Sequence, residues 1–133
     1  MGASETPPAL DSDLVREFVA NAHGDLEAVR RALAGEPALV NAAWDWGGGD
    51  WETGLGAAAH MGKRDIAELL LAHGARIDVF AAAMLGEVEI VSAILIAHPE
   101  MRDARGPHTI PLRAHAEAGS EQARPVLELL DSL

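Results

Sequence analysis

The stretch that decides the fold is Thr53-Gly54-Leu55-Gly56-Ala57-Ala58-Ala59-His60-Met61-Gly62, which runs on through Lys63-Arg64-Asp65-Ile66-Ala67 and Leu70-Leu71 to Gly74-Ala75. It reads as a short helix whose small residues, Ala58-Ala59, let a neighbouring helix come close. Gly62 then permits a tight turn at positive φ. A second helix follows, with Ile66, Leu70 and Leu71 on one face. Neither helix can bury its apolar face alone, so copies of the unit must stack.

Three more segments carry the same pattern. The first runs from Ala20 through Ala22-His23-Gly24-Asp25 and Val29 to Ala32-Leu33. Another runs from Ala82-Ala83-Met84-Leu85-Gly86 through Ile90-Val91 to Ile94-Leu95. The last, weaker, is His115-Ala116-Glu117-Ala118-Gly119 with Val126-Leu127 and Leu129-Leu130. The shared glycines, Gly24, Gly62, Gly86 and Gly119, lie 38, 24 and 33 residues apart.

This pattern resembles the ankyrin-repeat family, whose motif reads roughly T-P-L-H-x-A-A-x-x-G followed by I-V-x-x-L-L-x-x-G-A, with a period of about 33 residues. The unit from Thr53 to Ala75 is the best match, and Ile110-Pro111-Leu112-Arg113 stands at the T-P-L-H position of the last unit. The resemblance covers roughly Leu14 to Leu130. It implies an all-α fold, an α-solenoid of about four ankyrin-like helix pairs with short hairpin connections. Residues 1–12, with Pro7 and Pro8, are expected to be a disordered tail, and 13–133 a single domain. Asp11 or Asp13 is expected to cap the first helix. The chain departs from the motif at Gly54 (for Pro), Gly56 (for His) and Ile110 (for Thr), and Pro125 suits the first turn of the last helix.

The broken spacing carries further information. The first interval is about five residues longer than the family period and the second about nine shorter. Most of the excess lies between Asn41 and Glu52, in Trp44-Asp45-Trp46-Gly47-Gly48-Gly49-Asp50-Trp51-Glu52, which holds all three tryptophans. After Gly74-Ala75 the chain passes through Arg76-Ile77-Asp78 almost directly into the next helix. One hairpin finger is thus enlarged and aromatic, and the next nearly absent. By the resemblance, a concave face should carry Ala57, His60 and Met61, then Ala81, Met84 and Leu85, then Ala114, Glu117 and Ala118. In one reading the tryptophan loop folds over Met61, Met84 and Leu85 as a mini-core, each buried Trp contributing roughly 3 kcal/mol. In the other, the same surface is an open groove with Trp and Met anchors for a partner.

Composition narrows the function. Hydrophobic residues make up 49% of the chain, much of it alanine, and aromatics only 4%, which suits thin helices and argues against an all-β fold. A net charge of -11 with 10 unclustered basic residues disfavours nucleic acid and anionic membranes. There is no cysteine, which excludes disulfides and thiolate chemistry. No signal-like or membrane-spanning stretch is visible, so a cytoplasmic location is expected.

No Ser/His/Asp or Cys/His nucleophile arrangement is recognisable, and the chain is not expected to be an enzyme. None of the six histidines forms a local H-x-x-x-H pair, so neither a metal site nor any other cofactor is expected. His60, His108 and His115 could still converge on the concave face with Asp50 or Glu52 as a metal or acid–base site. The simpler reading makes each a turn or helix residue facing solvent. Gly47-Gly48-Gly49 lacks the Lys-Ser/Thr of a P-loop and reads as a hairpin tip. The leading expectation is a non-catalytic module that binds a protein or peptide, with Trp44, Trp46, Asp50, Trp51, His60, Met61, Met84, His108 and Arg113 as contact residues. A small-molecule pocket under loop 44–52 is the alternative.

Overall fold

Helix starts follow the short polar residues that precede them. In a computed structural model, which describes residues 6–133, Asp11 accepts a hydrogen bond from the Leu14 N–H (3.1 Å) and opens α1 (Ser12–Asn21). Asp25 caps α2 (Leu26–Gly35) through the Ala28 N–H. Thr53 caps α3 (Gly54–His60) through the Gly56 N–H. Asp78 caps α5 (Val79–Leu85) through the Ala81 N–H. Each such cap stabilises its helix by about 1 kcal/mol. The remaining helices are α4 (Arg64–Ala72), α6 (Val88–Ala97), α7 (Leu112–Ala118) and α8 (Arg124–Asp131), the last with its Pro in the first turn as expected. Residues 1–5 of the expected tail lie outside the described residues; nearer the domain, Leu10 packs against the core.

The helices pair in chain order, α1 with α2, α3 with α4, α5 with α6 and α7 with α8. The first members of the pairs also touch in succession, α1 to α3, α3 to α5 and α5 to α7. Alanine makes this possible. Gly54 through Ala59 in α3 are all buried, as are Ala81, Ala82 and Ala83 in α5. The apolar interior falls into two clusters. One holds Phe18, Val29, Leu33, Leu55, Ile66 and Leu70, the other Val91, Leu95, Leu112, Val126 and Leu130. Helix α5 serves both, with Ala81, Met84 and Leu85 facing the first and Val79, Ala82 and Ala83 the second.

Of the four shared glycines, Gly62 (φ 66°) and Gly86 (φ 79°) adopt the left-handed turn. Gly119 does not (φ −77°); its glycine is required because a Cβ there would meet the Met84 carbonyl oxygen at 2.0 Å. Gly54 is also confined sterically, and Gly56 only closely packed. A Cβ on Gly54 would lie 2.9 Å from the Phe18 ring, and one on Gly56 would press on Pro107 at 3.4 Å.

The enlarged finger is a two-stranded antiparallel hairpin, β1 (Ala43–Asp45) and β2 (Trp51–Thr53), with Trp44 opposite Glu52. Its tip, Gly47 to Gly49, has positive φ throughout. Asp45 holds the tip by accepting hydrogen bonds from the Gly47 and Gly49 N–H groups. Residues 75–78, between α4 and α5, contain no strand. Asn41 bridges to that short connection, donating to the Gly74 carbonyl and accepting from the Arg76 N–H. No helix among the described residues is long and apolar enough to cross a membrane.

Candidate metal centre

Strand β2 alternates outward and inward, so Trp51 is exposed while Glu52 is 1% exposed. Three imidazoles surround the Glu52 carboxylate. His60, the last residue of α3, places Nε2 at 2.9 Å from Glu52 Oε2. His23, in the turn after α1, and His108, in the loop before α7, place Nε2 at 3.2 and 3.3 Å from Oε1. The four side chains thus come from four separate elements, and one donor atom from each lies within 4.8 Å of the others.

The outer atoms fix the proton positions. His23 Nδ1 lies 3.0 Å from the carbonyl oxygens of both Val19 and Ala20. A carbonyl can only accept, so Nδ1 carries the proton. His108 Nδ1 lies 2.7 Å from Asp50 Oδ2, which as a carboxylate also only accepts. With that proton on Nδ1, a neutral ring turns a bare Nε2 lone pair towards Glu52, whereas a protonated ring turns an N–H towards it. Glu52 Oε1 takes its hydrogen bond from the Trp46 indole N–H at 2.8 Å instead. Glu52 Oε2 and His60 Nε2 are buried and have no hydrogen-bond partner: close as they are, they are not aligned for one. Lone pairs packed against lone pairs at this range repel unless a cation lies between them.

The spacing suits an ion. Around a tetrahedral ion with bonds of about 2.0–2.2 Å, neighbouring donors sit about 3.3 Å apart, close to the three Glu52–imidazole separations. The environment suits it too. Burial pushes the Glu52 carboxyl up, but the close approach of His60, the Trp46 N–H and the positive charge of the His23 and His108 rings when protonated outweigh it and hold it below its usual range. Asp50 is likewise held low, chiefly by the backbone N–H of His108 (2.7 Å) and also by that residue's ring. His108 and Thr109 both have φ near 60°, a conformation that costs about 1–3 kcal/mol per residue and persists only where the surroundings enforce it. Asp50, which accepts from both the backbone and the ring of His108, is that enforcement.

The expected contact residues separate into groups. Trp46, Asp50, His60 and His108 meet at this cluster. Trp44 packs against the first apolar cluster and Trp46 edges onto His23, whereas Trp51 is 61% exposed. The tryptophan loop is therefore part packing and part surface. Met61 is exposed, but Met84 is fully buried. Met84 cannot line an open groove, because α5 packs on helices to either side. Arg113 pairs with Asp131 of α8 and takes no part in the cluster. The expected trio of His60, His108 and His115 also changes: His23 takes the place of His115, which is buried against Phe80. The expectation of no metal site rested on local spacing, and here the donors are distant in sequence.

No protein-family model, no curated protein and no solved structure matches this chain.

Proposed function

We propose that the chain is an ankyrin-type helical-repeat domain that holds one divalent transition-metal ion through His23, Glu52, His60 and His108. The repeat reading is supported by the ordered helix pairs, the successive contacts of their first members and the glycine turns. The metal reading is carried by one observation: three imidazoles converge on the buried Glu52 carboxylate, with His23 and His108 giving their outer Nδ1 protons away from it and His60 Nε2 left without a hydrogen-bond partner. Metal-bound histidines typically give their other N–H to a carbonyl or carboxylate, as His23 and His108 do. A mainly imidazole set suits zinc, nickel, copper or iron rather than magnesium or calcium.

The test is titration of the chelator-treated protein with Zn2+ at neutral pH. One equivalent is expected to bind, and at a hundredfold excess over Kd the gain of about 2.7 kcal/mol raises Tm by about 10 °C. Binding should weaken on acidification, because protons compete with the metal for imidazole nitrogen. A cluster held together by imidazolium charge alone would show no metal-induced shift and would gain stability on acidification instead. His60→Ala with His108→Ala should abolish the zinc response. No stoichiometric binding by the wild type would end the metal reading.

A second reading is favoured by the exposure of Trp51, Met61 and Trp46. Trp46 borders the cluster, and Trp51 and Met61 neighbour its ligands Glu52 and His60 in the chain; these exposed apolar side chains would anchor a protein or peptide, since exposed Trp is a frequent interface anchor. On this reading Trp51→Ala keeps the metal and loses the partner. A Trp51→Ala protein that retains every partner of the wild type would exclude this reading.

A further inference from the structure

We infer that the centre keeps a coordination position open on its His23–His108 side and takes a small monoanionic oxygen or nitrogen donor there. This inference rests on the metal reading above and extends it from a bound ion to an exchangeable site.

The argument begins with the uneven cover of the four ligands. The Glu52 side chain is 0% exposed and that of His60 10%, so the ion is shut off on the protein side. The His23 and His108 side chains are 26% and 33% exposed. Four protein ligands complete a tetrahedral structural centre, whereas a working centre leaves a position for water or substrate, which with these four donors is a fifth position. The side that lacks cover here is the one between the two half-exposed rings.

Nothing among the described residues stands ready to fill that side. Trp46 borders it, with its ring centre 6.3 Å from those of both His23 and His108. Its only polar hydrogen is already given to Glu52 Oε1, so it forms a wall and not a donor. No other His, Asp or Glu among the described residues joins the donor group. Asp50 is turned away, holding the far nitrogen of His108.

Access and charge point the same way. A cleft of about 520 Å3 lies against His108 and Asp50, walled otherwise by Gly47 to Gly49, Gly106 and Thr109, so its one carboxylate is the one already engaged by His108. A Cβ built on any of the three tip glycines meets nothing within 4 Å, so the approach is clear of side chains. A divalent ion bound by one carboxylate and three neutral imidazoles carries a net charge of +1 (2 − 1). One monoanion, such as hydroxide, a carboxylate or azide, neutralises it.

The experiment uses the full chain loaded with Co2+, whose visible absorption reports coordination number and ligand exchange. Millimolar azide, and separately acetate, is added, and cobalt retention is checked by gel filtration. The expected result is a saturable spectral change with cobalt still bound, reversed when the anion is removed. A spectrum indifferent to both anions while cobalt stays bound overturns the open position and leaves the metal reading standing. Failure to bind cobalt, nickel or zinc overturns both. A change caused by cobalt leaving the protein also counts against an open position. As a second variant, His23→Ala widens the uncovered side; it should bind azide at least as well if cobalt is retained. Azide binding lost in that variant would place the anion elsewhere.

Discussion

Asp50→Asn tests how the centre is set up without altering its shape. Asp50 now accepts twice from His108, at 2.7 Å from the backbone N–H and 2.7 Å from ring Nδ1. An asparagine has one acceptor oxygen and one donor nitrogen. If its oxygen keeps the backbone N–H, its NH2 faces Nδ1 and forces the ring proton onto Nε2. A protonated Nε2 cannot bind a metal, so one of the three imidazole ligands is switched off while packing is kept. If the amide turns over, the strained turn at His108 and Thr109 loses its anchor instead. Loss of such an outer partner weakens metal binding about 10–100-fold. The assay is competition for Zn2+ against a chromophoric chelator at neutral pH, with Asp45→Asn as the control. Asp45 is five residues away and holds only the hairpin tip, so that control should bind within about twofold of wild type. Equal affinity of Asp50→Asn and wild type would refute the tautomer argument, and with it the claim that Asp50 positions a ligand.

Other expectations follow from single contacts. Gly86→Ala should lower stability by about 3 kcal/mol or more in urea unfolding, because φ is 79° and the new Cβ would lie 2.0 Å from the Gln122 carbonyl oxygen. Trp46→Phe removes the hydrogen bond to the buried Glu52 carboxylate, at a cost of about 1.5–3 kcal/mol in the metal-free protein. His115 is held below its ordinary 6.5 mainly by burial and also by His60, against the Pro111 carbonyl and Asp78, which raise it. A lowered folded pKa means stability is full above about 6.5 and falls as pH drops through the folded value. His115→Phe should therefore flatten the acid limb of a Tm-against-pH curve, and an unchanged limb would assign the acid sensitivity elsewhere.

The helical character was legible because it is written in local terms: Ala58-Ala59 beside a glycine, and Ile66, Leu70 and Leu71 on one face. The enlarged finger was legible from interval length alone. The centre was only half visible. His60, His108, Glu52 and Asp50 stood among the candidates, but no short spacing joined them. His23 was missed although it, like His60, closes the first helix of its unit just before the unit's glycine. Two such positions in adjacent units lie about one helix packing distance apart, which is the signal that could have found it. Glu52 was readable as inward-facing once residues 51–53 were taken as a strand, since alternation buries every second side chain. Met84 misled because its place in a motif says which face it lies on, not how closely the neighbouring helix presses there.

Helix α5 has a mechanical consequence. It is the shared wall of two apolar compartments, and the halves are also joined by the α3–α7 contact and by the Asp50–His108 hydrogen bonds. His23, Glu52 and His60 stand on the first compartment's side, and His108 leads into α7 on the second's. An ion gripped by all four would rivet the seam. Without it the halves hold together by packing and hydrogen bonds alone; with it a further bond must break before they part.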